Sequence, residues 1–185
     1  MKNIKSKGIL FWITGLSGSG KTTIAKKILP TIRKTYGKTI HLDGDGLRKI
    51  LNLYGYTYKE RLSNSKIFTQ ISKLITDHNI NVVFSIVGLM DAPRLWNKKN
   101  ISNYVEIFIK SNVKKIILKN KKKIYEINKN VVGLNIKPEF PKNPDIIINN
   151  RFNKDLELLK HELIKKIIKI GNKRKYGNPK LRSTA

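Results

Sequence analysis

The chain has 185 residues, with 39 Lys and Arg against 12 Asp and Glu, a formal net charge of +27, and 39% apolar residues. This length suits one domain with a buried core, and this apolar share excludes a disordered or fibrous chain. With no cysteine there is no disulfide, thiolate zinc site or cysteine nucleophile.

The charge raises the question of a nucleic-acid partner. The lysines, however, run along the whole chain, and aromatics are not interleaved with them as stacking platforms would require. A Lys-, Ile- and Asn-rich composition filling solvated faces is the simpler reading, and nucleic-acid docking is disfavoured.

Lys2, Lys5 and Lys7 followed by "GILFWITGL" imitate a secretory leader, but the apolar run is short and enters "SGSGKTT" rather than a cleavage site. A buried first strand over 9–14 accounts for it better. No other stretch approaches membrane-spanning length, so no membrane partner and a cytoplasmic location are expected. Residues 22–34 read as a helix with Ile24, Ile28, Leu29 and Ile32 on one side. "KTIHL" reads as the second strand, "GLRKILNLYG" as a helix stopping at Gly55, and 61–78 as a helix presenting Ile67, Ile71, Leu74 and Ile75. "INVVFSIV", "NYVEIFIK" and "PDIIINN" supply three further strands, a helix begins at 113–118, and "KDLELLKHELIKKIIKI" is a long amphipathic helix. This alternation predicts a three-layer α/β fold with a mainly parallel five-stranded sheet covered on both faces. One domain over 1–171 is expected, with 172–185 as a basic, mobile tail.

"GLSGSGKT", Gly15 to Thr22, matches the phosphate-loop pattern G-x-x-x-x-G-K-[ST] between a predicted strand and a predicted helix. Gly15, Gly18 and Gly20 permit a tight loop whose N–H groups, with those of Ser17, Ser19 and Thr23, converge on ATP phosphates at a helix N-terminus. Lys21 would reach the β- and γ-phosphates, and Thr22 would offer its hydroxyl to Mg2+. The predicted fold is thus the P-loop NTPase/kinase fold. "HLDGDGLR" then ends the second strand, and in an open parallel sheet the carboxyl ends of strands face the ligand. One of Asp43 and Asp45 can take the proton of an acceptor hydroxyl, with Asp45 preferred, and the other can hold magnesium through water. His41, His78 and His161 lack metal-ligand spacing and read as structural or exposed, while Trp12 and Trp96 read as core.

"FWITGLSGSGKTTIA", "LDGDGLR", Arg61 and Asn64 in "RLSN", and "VVGLNIKPEFPKNPDIII" together resemble the adenylylsulfate kinase (APS kinase) family over residues 8–170. The resemblance implies transfer of the γ-phosphate of ATP to the 3′-hydroxyl of adenosine 5′-phosphosulfate. It implies catalytic roles for Lys21, Asp43 and Asp45, and acceptor contacts from Arg48, Arg61, Asn64, Ser85, Arg94, Lys122, Val132 and Gly133. It also implies a lid over 121–141 and leaves room for a homodimer.

The acceptor side departs from the family. Gly88 falls on the serine of the family's "ISP" triplet, which excludes a phosphoserine there, and Asp91 falls on the first of two arginines, leaving Arg94. In the lid, Lys119 and Asn120 replace an Arg-Asp pair and Lys123 replaces glycine, while Lys122 and Tyr125 keep their places. Lys119 and Lys121 to Lys123 form either a solvated face or a clamp on ATP. These departures resemble a divergent branch that includes cytidine diphosphoramidate kinases. Adenylylsulfate is the first expectation for the acceptor, and a cytidine diphosphate derivative is the rival. The rival of another class is a basic nucleotide-binding module docking on nucleic acid.

Overall fold

The computed structural model describes residues 7–119, 130–153 and 155–176. Five parallel strands form one sheet: β1 (Leu10–Thr14), β2 (Thr39–Asp43), β3 (Asn81–Ser85), β4 (Tyr104–Lys110) and β5 (Ile146–Asn149). Their spatial order is β2-β3-β1-β4-β5, so β1 lies at the centre and β2 and β5 are the edges. Every residue of β1 and β3 is buried, which is why both read as unbroken apolar runs rather than alternations.

The two faces separate by strand period. Phe11 and Ile13 point into a core shared with Ile24, Ala25, Ile28 and Ile32 of α1 (Lys21–Tyr36) and Leu159, Leu163 and Ile167 of α6 (Leu156–Tyr176). Leu10 and Trp12 point the other way, into a core with Phe68 of α3 (Tyr58–Asp77) and Ile101, which follows α4 (Asp91–Asn100). Each fully buried Ile or Leu contributes about 1.5–3 kcal/mol. Trp96 packs partly buried against this second core, and Trp12 is fully buried within it, as expected.

Several boundaries differ from the sequence reading. α2 (Gly44–Ile50) stops short of Gly55, because Asn52 turns left-handed at φ 54°. α3 starts before Arg61, because Thr57 and Glu60 form a reciprocal capping box. α4 was not anticipated; its Pro93 sits in the first turn, where no intrahelical N–H is lost. The short α5 (Val113–Leu118) is capped by the Asn112 side chain. α6 continues to Tyr176, past the predicted start of the tail, so Gly171 does not break it. There the backbone runs against Tyr36, whose hydroxyl would lie 2.3 Å from a Cβ at Gly171. Residues 177–185 of the expected tail, and 121–129 of the expected lid, lie outside the described residues.

Candidate active site

A cavity of about 560 Å³ opens beyond the carboxyl ends of β1, β2 and β3, and the loop after β1 forms its floor. A Cβ at Gly15 would lie 2.6 Å from the Ile109 carbonyl oxygen, so only glycine lets the loop seat against β4. Gly18 and Gly20 adopt φ 75° and 91°, which other residues adopt at a cost. Gly20 caps α1 without any side-chain hydrogen bond. The first N–H groups of α1 therefore face the cavity, where an anion would satisfy them.

The elements on either side hold this loop. Lys21 is buried, and its Nζ donates to the Leu16 carbonyl at 2.6 Å. Asn150, just past β5, donates from Nδ2 to the Ser19 carbonyl at 3.1 Å and accepts from the Phe152 N–H at 3.0 Å. Of the expected ATP contacts, Ser17, Gly18, Gly20, Lys21, Thr22 and Thr23 line the cavity. Ser19 does not: it is fully buried beneath the loop, where its N–H bonds Leu16, and Gly15 lies behind the loop in the same way.

Asp43 gathers the donors at the end of β2. Its Oδ1 accepts from Thr22 Oγ1 at 2.9 Å and from Ser85 Oγ at 3.0 Å, and its Oδ2 accepts from the Gly46 N–H at 3.2 Å. The Thr22 proton is thereby directed at a carboxylate, leaving the hydroxyl lone pairs for a hard cation, for which this donor set is suited. Asp45 lies in the first turn of α2, exposed, on the cavity wall. Behind Asp43, His41 Nε2 lies 3.1 Å from Ser85 Oγ. Burial lowers the pKa of His41, Asp43 opposes this, and Lys26 and Arg33 add to the lowering.

Across the cavity two guanidinium groups stand against one ring. The Arg48 and Arg61 Cζ atoms lie 4.8 and 5.2 Å from the Tyr56 ring centroid, both within cation–π range. Arg48 donates to the Leu53 and Gly55 carbonyls, and Arg61 donates to the Tyr56 and Asn130 carbonyls. Burial lowers the pKa of both arginines, and the charge of Arg48 lowers that of Arg61 further. Two cations held side by side and partly desolvated favour the arrival of an anion.

Other expected acceptor residues divide. Ser85 and Val132 line the cavity, as does Phe68. Asn64 is buried in α3 outside the lining, and Gly133, at φ 99°, packs against Leu16 rather than facing the cavity. Arg94 is corrected more fully. It is 4% exposed and does not line the cavity; instead it pairs with Asp91 and Glu106 and donates to the Gly88 carbonyl. Lys122 lies outside the described residues, whereas Lys119 reaches the cavity wall. Sequence reasoning missed Tyr56, Asn130, Val131, Asn150 and Phe152, all on the lining. Only the Tyr56 position carried a signal, an aromatic between two arginines already under suspicion.

A family model described as adenylylsulphate kinase matches residues 7–149. The chain belongs to the adenylylsulphate kinase family. A cytidine diphosphoramidate kinase of Campylobacter jejuni is 32% identical over 169 residues, covering 89% of this chain and 99% of that protein. A probable adenylyl-sulfate kinase of Aeropyrum pernix is 29% identical, covering 80% and 86%. The Mycobacterium tuberculosis APS kinase solved with AMPPNP and APS superposes with a TM-score of 0.77 at 24% identity, over 88% of this chain and 98% of that one, which establishes the shared fold. Like its relatives, this adenylylsulphate kinase family member is an ATP-dependent phosphotransferase with a hydroxyl acceptor. Nothing in these relationships supports docking on nucleic acid, and no described helix is long and apolar enough to cross a membrane.

Proposed function

We propose that the acceptor is a nucleotide bound between Asp45 and the Arg48–Tyr56–Arg61 stack, and that it is cytidine diphosphoramidate. The reading rests on one observation: a single cavity joins the phosphate loop, Asp45 and the paired guanidinium groups. The choice of acceptor draws support from the full-length similarity to the Campylobacter jejuni enzyme and from an acceptor wall with Gly88 in place of serine and Arg94 withdrawn.

Lys21 moves from the Leu16 carbonyl to the β- and γ-phosphates of ATP, and the uncapped start of α1 binds the phosphate oxygens. Thr22 would hold Mg2+ while its hydroxyl donates a hydrogen bond to Asp43; when bound, the ion would neutralise charge on the transferring group. Asp45, in the first turn of α2 on the cavity wall, takes the acceptor hydroxyl proton. Arg48 and Arg61 hold the acceptor's anionic group, and Val131 and Val132 close the wall near them. Catalysis is then mainly positioning and charge neutralisation.

The test is ADP release from Mg-ATP by the full chain with cytidine diphosphoramidate, adenylylsulfate and a panel of other nucleotides. Stimulation by the cytidine compound and none by adenylylsulfate is expected. Adenylylsulfate is the second reading, favoured by the family motifs around Asp43 and Arg61; stimulation by it alone overturns the first.

A further inference from the structure

We propose that His41 is a positioning residue for the cation site: by donating to Ser85 it sets the direction of the hydrogen-bond chain that ends at the Thr22 hydroxyl. The inference rests on the kinase reading above but not on the identity of the acceptor.

The register places these groups. Parallel pairing of β2 with β3 sets Asp43 opposite Ser85 and His41 opposite Val83. Side chains alternate along a strand, so His41 and Asp43 share one face, with Ser85 beside them. His41 thus meets Ser85 across the diagonal, at 3.1 Å. His41 does not line the cavity; it stands on the edge strand, half buried, facing Lys26 and Arg33 of α1 and Asp43 of its own strand.

Proton counting orients the chain. A serine hydroxyl has one proton, and that of Ser85 goes to Asp43 Oδ1. The Ser85 oxygen can then only accept from His41, so His41 Nε2 carries the hydrogen. If the imidazole presented a bare Nε2, Ser85 would turn its proton to the ring. Asp43 Oδ1 would then keep Thr22 as its one side-chain donor and lose the contact that fixes its rotamer. Ser85 is 1% exposed, and its hydroxyl is held between these two side chains. The order is His41 to Ser85 to Asp43, with Thr22 donating to the same oxygen and keeping its lone pairs for the cation. Partners that orient ligand-holding groups from behind in this way set metal affinity without touching the ion.

Two measurements on the full chain test this. Long-range proton–nitrogen correlation spectra of the chain without nucleotide should show His41 as the neutral tautomer protonated at Nε2; the Nδ1–H tautomer overturns the proposal. ADP binding by calorimetry, with and without magnesium, should show that His41→Leu lowers the gain in affinity due to magnesium by about tenfold, with affinity in its absence unchanged. His41→Gln, which offers an amide donor at similar reach, should restore the gain to within about twofold. In a Ser85→Ala background, His41→Leu should change nothing further. A leucine variant with the full magnesium gain, a glutamine variant as poor as leucine, or an undiminished leucine effect without Ser85 each overturns the relay. All of these readings are independent of the acceptor, so failure of the cytidine assignment would leave them intact.

Discussion

Asp91 pairs with Arg94 at the start of α4, one turn along the same helix. From sequence, an aspartate at a family arginine position reverses the charge facing the acceptor. In the structure it does not, because the carboxylate turns back on its own helix and Arg94 lies inside the protein. Glu106 of β4 takes the Arg94 Nε at 2.9 Å, and burial raises the Glu106 pKa, which Arg94 opposes. Removing Glu106 leaves the buried Arg94 guanidinium with the half-exposed Asp91 as its counter-charge. Glu106→Ala should therefore cost about 3–5 kcal/mol in denaturant unfolding, and Asp91→Ala, at a half-exposed helix start, about 0.3–1 kcal/mol.

Gly88 carries a second departure with a measurable consequence. It adopts φ 47°, and a Cβ there would lie 3.1 Å from Trp12 Nε1 and 3.3 Å from Thr14 Oγ1. Restoring the family's serine at this site should strain the backbone by about 1–2 kcal/mol. Thermal unfolding of Gly88→Ser should begin lower, by about 2–4 °C for each kcal/mol.

Glu139, inside the expected lid over 121–141, ties that segment to the acceptor wall. Its carboxylate accepts from the Tyr58 hydroxyl at 3.0 Å and from the Asp91 N–H, and its own N–H donates to the Leu89 carbonyl at 3.0 Å. Leu89 lines the cavity, and so does Asn130, whose carbonyl receives Arg61. Glu139→Ala should raise the acceptor KM about tenfold or less, one lost charged hydrogen bond being worth about 1.5 kcal/mol, and leave the KM for ATP unchanged. Steady-state kinetics with each substrate varied in turn separates the two.

Glu157 joins α6 to α1 through Lys27, and hydrogen bonds from Lys27 and Lys160 lower its pKa from 4.5 to about 2. A carboxylate with a folded pKa below its unfolded one stabilises the fold above the unfolded value, and this contribution is lost as pH falls toward the folded one. The melting temperatures of wild type and Glu157→Gln should differ by a constant amount above pH 5 and converge between pH 4.5 and about 2. A difference that persists at the acid end would mean that packing, not charge, joins the helices there.

How much was legible in the residues differs across the molecule. The loop from Gly15 to Thr22 could be read because a tight phosphate cradle admits few residue types at few spacings, all within eight consecutive positions. The five strands could be read because a parallel sheet buried on both faces demands continuous apolar runs. The start of α3 was misjudged because its cap, Thr57 with Glu60, lies upstream of the apolar stripe. α4 was missed because most of its face toward the solvent is polar and Pro93 reads as a breaker.

By itself, then, the sequence determined the phosphate-binding chemistry, the alternation of strands and helices, and the family. Those depend on short-range order: local spacing, local periodicity and backbone freedom at glycine. Only the tertiary structure decided that Arg94 pairs with Asp91 and Glu106 away from the cavity lining, that Arg48 and Arg61 both stand against the Tyr56 ring, and that Asn150 holds Ser19 from 131 positions away. It also decided that His41 backs Ser85 and Asp43, since that contact requires β2 to lie beside β3 in one register. Each of these depends on which way a side chain turns once distant strands are side by side, and no pattern along the chain carries that information.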